Sequence, residues 1–172
     1  MEHEVCDACG FDGAVYDDAA LLDALRALGP SWRDLIAGAG PELRARPAPE
    51  VWSAIEYAAH SRDVTALHVF GVEQALTLDE PAIPAIAGGL VEEAAATYAD
   101  AEPDAVVAAL EFHSSRLASL AEDAGAGSWT RGFTIGDDRI EVRRLLEHAL
   151  HDSRHHLLDV ERGLAQLRSS SA

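Results

Sequence analysis

From Leu145 onward the apolar residues recur at steps of three and four: Leu145, Leu146, Ala149, Leu150, Leu157, Val160, Leu164 and Leu167. Such spacing gives a helix one broad buried face, so this stretch must pack against other elements. The helix is expected to run from Ile140 to Gln166, with Asp138 as N-cap and Glu141 closing a capping box. Four of the chain's eight histidines, His148, His151, His155 and His156, fall inside it.

Two pairs in this helix have the i, i+4 spacing with which neighbouring side chains can share a metal: His151 with His155, and Asp152 with His156. At roughly 100° per residue they cannot both face inward. Asp152 and His156 fall on the margin of the leucine face, whereas His151 and His155 fall nearer the polar side with Arg144, His148 and Arg162. A site between helices would use Asp152 and His156; His151 and His155 are the alternative if the helix is rotated.

Three more helices precede it. The first is capped at Asp17 or Asp18 and carries Leu22, Leu25 and Leu28, with a kink or break at Gly29-Pro30 before Trp32, Leu35 and Ile36. A loop from Gly38 leads to a second helix, from Pro49 or Glu50 to about Leu78, apolar on nearly all sides and holding His60 between Glu56 and Asp63. A third runs from Pro103, suited to a first turn, to about Asp123. The connection from Asp79 to Asp104, with a short helix near Val91 to Tyr98, is long for a bundle. A second irregular crossing, Gly125 to Gly136, carries Trp129 and Phe133, which either wall a pocket or plug the bundle end. His68 and His113 receive no role. An all-α, up-down four-helix bundle is the economical fold, one that builds sites from facing helices and brings His60 within reach of the last one.

A formal charge of −17 excludes a phosphate backbone as the natural partner and disfavours anionic membrane. No apolar run approaches the roughly 20 residues of a membrane span. The first residues lack the basic and apolar regions of a secretory signal, so a cytoplasmic location is expected. Residues 1–13 form a separate Cys-x-x-Cys segment ahead of a bundle domain over 14–168. Cys6 and Cys9, followed by Gly10, have the spacing of half a zinc knuckle. Three readings stand: a zinc half-site completed by His3 or by another chain, a redox pair, or two unattached thiols.

The stretch Trp52 to His60, WSAIEYAAH, followed about ninety residues later by His151 to Val160, HDSRHHLLDV, resembles the DinB/YfiT-like superfamily of metal-binding four-helix bundles, which includes the mycothiol-dependent maleylpyruvate isomerases. The start from Cys6 to Gly13 resembles a subgroup of DinB-like proteins. The resemblance implies one ligand at His60 and two from the last helix. The position of Asp159-Val160 matches Asp152 and His156 to those two, while the commoner His-Asp-x-x-His pattern matches His151 and His155. An Asp there departs from the usual His or Glu. Two imidazoles and a carboxylate leave coordination positions open and suit zinc, nickel or ferrous iron. The implied chemistry is thiol transfer or isomerisation, in which a low-molecular-weight thiol such as mycothiol or bacillithiol attacks a small electrophilic substrate and His151 or His155 shuttles protons. The rivals are a non-catalytic metal-binding or stress-response protein and a metal-free structural helical dimer. A homodimer is expected, from the resemblance and from the apolar second helix.

Overall fold

The computed structural model describes residues 3–83 and 94–170. Its frame is four long helices, α1 (Asp18–Ala39), α2 (Ala54–Thr77), α3 (Pro103–Ala124) and α4 (Val142–Ser170). Two small hairpins accompany them: β1 (Val5–Cys6) with β2 (Phe11–Asp12), and β3 (Gly132–Ile135) with β4 (Asp138–Glu141). Around the bundle the packing order is α1, α3, α2, α4, so α1 and α2 lie diagonally opposed and each touches both α3 and α4.

The helix starts follow local chemistry. Asp17 accepts from the Ala20 backbone N–H at 2.8 Å, and Pro103 occupies the first turn of α3. For α2, Glu56 reaches back to the Ser53 N–H at 2.9 Å and its hydroxyl at 2.7 Å, which starts the helix at Ala54 rather than at Pro49 or Glu50. The capping box expected at Asp138 and Glu141 does not form. Those residues pair in register with Gly132–Ile135 as a hairpin, and α4 begins at Val142 and continues past Leu167 to Ser170. Strand pairing uses the backbone groups that an earlier helix start would have needed.

Pro30 does not break α1, which is continuous from Asp18 to Ala39. The proline is exposed, so the carbonyl one turn before it, stripped of its donor, can turn to water. Its neighbour Gly29 is there for packing: a Cβ would lie 2.7 Å from the Glu111 Cα on α3. The short helix expected near Val91 to Tyr98 lies partly outside the described residues. Tyr98 itself is buried at the start of a 3-10 turn, Tyr98–Asp100.

The core is in two parts. One apolar cluster gathers Leu25, Val72, Leu117 and Leu146 with Trp129 and Phe133, which therefore plug that end of the bundle. The other gathers Trp32, Ile55, Tyr98, Leu110 and Leu164. Between them the helices turn small polar groups inward: Ser61, Thr65, Ser114 and Ser153 are all buried. The Trp32 indole N–H donates across this layer to the Ser153 hydroxyl at 2.8 Å. α2 is less uniformly buried than its apolar pattern suggests, for Leu67 and Phe70 are 41% and 43% exposed.

The N-terminal segment is held to α4 by a buried charge network. Arg143 donates to Glu147 and to Asp18 at 2.7 Å each, and to the Tyr16 carbonyl at 2.7 Å. Glu147 in turn accepts the Glu4 backbone N–H at 3.0 Å and lies 2.8 Å from His3 Nδ1. Gly13 allows this approach, since a Cβ there would lie 2.5 Å from Glu147 Oε2. Burial would raise the Glu147 pKa, but the hydrogen bonds from Arg143, His3 and the Glu4 amide outweigh it and hold it below the ordinary 4.5. Because the folded value is the lower one, the stabilisation is present above pH 4.5 and is lost as pH falls through the folded value. Glu147→Ala should cost about 3 kcal/mol at neutral pH, the low end for breaking a buried pair because Asp18 and Tyr16 still satisfy Arg143. Denaturant titrations should show the wild-type advantage shrinking below pH 4.5.

Candidate metal centre

In the polar layer, α2 and α4 bring His60, Asp152 and His156 together, with one ligand-type atom from each lying within 4.8 Å of the others. The His60 and His156 rings are 5.0 Å apart between centroids. His156 Nε2 lies 3.5 Å from Asp152 Oδ1, long for a hydrogen bond. It is close to the edge of about 3.4 Å that a nitrogen and an oxygen span on a shared tetrahedral zinc. Among the described residues, the buried His60 Nδ1 has no hydrogen-bond partner.

Aromatic rings close this site from the side of α2. Trp52 lies 5.2 Å from the His60 ring and Tyr98 6.3 Å from it, while Tyr57 lies 5.1 Å from His156. Burial is the main influence on His60 and lowers its pKa, which keeps the imidazole neutral and able to ligate. Burial would also lower His156, but the carboxylates of Asp152 and Asp159 beside it prevail and raise it. For Asp152, burial is overcome by the adjacent His156 and by the charges of His60 and His68, and its pKa falls. Protonation and metal binding therefore compete at His156.

One helical step away, His151 and His155 face a different neighbour. They meet Cys6 and Cys9, again with ligand-type atoms within 4.8 Å of one another, and the alternative set of His60, His151 and His155 is not brought together among the described residues. The 100° rotation between successive residues of α4 separates the two pairs. His3, expected as a third ligand beside the cysteines, is instead paired with Glu147. The Cys6 thiol is lowered to about 6, first by the Cys9 backbone N–H and then, against burial, by His155 and His151; burial raises Cys9.

The sequence pattern had not singled out Glu4, Tyr57 or the second role of Asp159. Glu4 is buried and binds His148 at 2.8 Å and 3.1 Å, His151 and Arg144. It carries no helical spacing that could have flagged it. Tyr57 could have been found, three residues before His60 on the same helix. Asp159 Oδ2 lies 3.2 Å from His156 Nδ1 and 3.6 Å from His155 Nε2, so one carboxylate stands behind a histidine of each cluster. His68 is buried, bonded through Nδ1 to the Val64 carbonyl at 2.7 Å, and lies against an apolar groove of about 190 Å³ that includes Phe133 and Leu145.

A family model for the DinB superfamily matches residues 24–160. The chain belongs to the DinB superfamily. Its bundle is similar to the solved structure of YfiT from Bacillus subtilis, titled a probable metal-dependent hydrolase with an unusual four-helix bundle topology. The TM-score is 0.77 over 87% of each chain, at 17% identity. At that identity the likeness establishes the DinB fold and no activity. No curated protein sequence matches the chain. No helix among the described residues of this DinB protein is long and apolar enough to cross a membrane.

Asp159→Asn keeps the size of the side chain while removing the charge behind His156. Titration of metal-free protein with zinc should show affinity at the His60 cluster falling about 10- to 100-fold, the usual effect of losing a carboxylate behind a ligating imidazole.

Proposed function

We propose that His60, Asp152 and His156 hold a divalent ion, zinc or nickel in preference to iron, and that the site activates a nucleophile toward a small electrophilic substrate. The observation that carries this reading is the convergence of three half-buried ligand-type side chains where His60 Nδ1 has no hydrogen-bond partner among the described residues. Two imidazoles and one carboxylate do not fill a coordination sphere, as a closed structural site would. When bound, such an ion lowers the pKa of a water or thiol at its open position.

The protein's own part is positioning and exclusion. Asp159, 3.2 Å from His156 Nδ1, orients that ring so that Nε2 faces Asp152. Trp52, Tyr57 and Tyr98 shield the two imidazoles from bulk water, which strengthens electrostatic interactions inside the site. By family resemblance the nucleophile is a low-molecular-weight thiol such as mycothiol or bacillithiol, making the protein a thiol transferase or isomerase. Hydrolysis is the second reading, favoured by the likeness of the fold to YfiT. His151 and His155 lie with the cysteines, and neither is assigned the proton shuttle suggested by sequence. The homodimer proposed from sequence finds support in the outward-facing Leu67 and Phe70 of α2.

Untagged protein should carry one equivalent of metal that is lost in His60→Ala, as read by elemental analysis. Conjugation of model electrophiles should then require both metal and thiol. Turnover of esters or amides with metal but no thiol would select hydrolysis, and no turnover with either would leave a non-catalytic metal-binding protein.

A further inference from the structure

We infer that Cys6, Cys9, His151 and His155 form a second, closed zinc site that fastens the N-terminal hairpin to α4. It uses none of the ligands of the His60 cluster and stands whether or not that cluster is catalytic.

The cysteines are presented as a metal knuckle presents them. Gly10, at φ 71°, turns the chain back so that its N–H donates to the Cys6 carbonyl at 2.8 Å. Both thiols are free and half-buried. Opposite them, His151 and His155 stand one helical turn apart on α4, their ring centroids 5.7 Å from each other.

Each imidazole has a carboxylate beside one nitrogen and the other nitrogen left for a ligand. Glu4 binds His151 Nδ1, and His151 Nε2 is left buried with no hydrogen-bond partner. Asp159 stands 3.6 Å from His155 Nε2, while His155 Nδ1 lies 3.8 Å from Cys6 Sγ. A carboxylate behind the ring is the usual support of a ligating histidine. With zinc–sulfur bonds of about 2.3 Å and zinc–nitrogen bonds of about 2.0–2.1 Å, the sulfur–nitrogen edge of a tetrahedron is about 3.6 Å, close to the observed separation. Two thiolates and two imidazoles in tetrahedral reach are a zinc set, and four protein ligands leave no position for substrate.

Glu4, His148 and His151 also approach one another, but that trio is a weaker candidate. Arg144 lies 2.8 Å from Glu4 Oε2 and already supplies it with positive charge. Glu4 is better placed as the support behind His151.

The need for such a staple is visible in the hairpin. Its strands are two residues each, far too short to persist alone, and Phe11 lies on the His151 ring at 5.1 Å. A metal binding only the folded arrangement would add its binding free energy to docking of this segment.

The test is cobalt titration of metal-free, reduced full-length protein. Expected are thiolate-to-cobalt charge-transfer bands and strong visible bands of a tetrahedral ion, kept in His60→Ala and lost in the Cys6→Ser/Cys9→Ser double variant along with one equivalent of zinc. In the wild type, zinc should protect both thiols from a disulfide reagent and a chelator should expose them, a readout that does not depend on any variant folding. Cobalt binding without sulfur bands, cysteines that react equally fast with and without zinc, or spontaneous Cys6–Cys9 disulfide formation in zinc-loaded protein would each overturn the site. Loss of metal only in His60→Ala would overturn it while leaving the proposed function standing.

Discussion

The cost of removing polar groups from water decides what the middle of this bundle holds. Between the two apolar clusters lies a layer where serine, threonine and histidine side chains are buried, with His60, Asp152 and His156 half-buried at its edge. Each such group needs a partner, because an unsatisfied buried donor or acceptor costs about 1–3 kcal/mol. Ser153 finds Trp32, Thr65 finds the Ser61 carbonyl, and His68 finds the Val64 carbonyl. Among the described residues the Ser61 hydroxyl and His60 Nδ1 find none, and of the two only His60 stands in a cluster of ligand-type side chains.

α4 organises what surrounds that layer. Its buried apolar side serves both core clusters, while the residues from Glu147 to Asp159 meet the N-terminal segment on one flank and α2 on the other. The buried pair of Arg143 and Glu147 is costly to desolvate, and its carboxylate recovers that cost through the Glu4 amide and His3 as well as the guanidinium. The same interactions that hold the hairpin place Glu4 behind His151. Packing of the terminus and orientation of the helix's histidines are one arrangement.

Much of this was legible in the order of residues. Periodicity placed four helices and the bundle, and helical phase separated Asp152 and His156 from His151 and His155. What periodicity could not see was long-range and irregular. Asp138 and Glu141 fit a capping box locally, but pairing with Gly132–Ile135 took them into a hairpin. Ser53 and Glu56 carried the same signature and did form the start of α2, yet the apolar residues before them masked it. The partners of Cys6 and Cys9 lie nearly 150 residues away in the chain, a pairing no local spacing encodes.

The two candidate ligand pairs of α4 have identical spacing and are offset by a single residue. A turn of the helix by about 100° would carry one pair into the place of the other. The buried leucines oppose such a turn, since it would bring them into water. The clasp of Glu4 and the cysteine loop on His151 and His155 opposes it from the other flank. The N-terminal hairpin therefore acts as a second rotational stop, holding the polar flank of the helix as the core holds the apolar one.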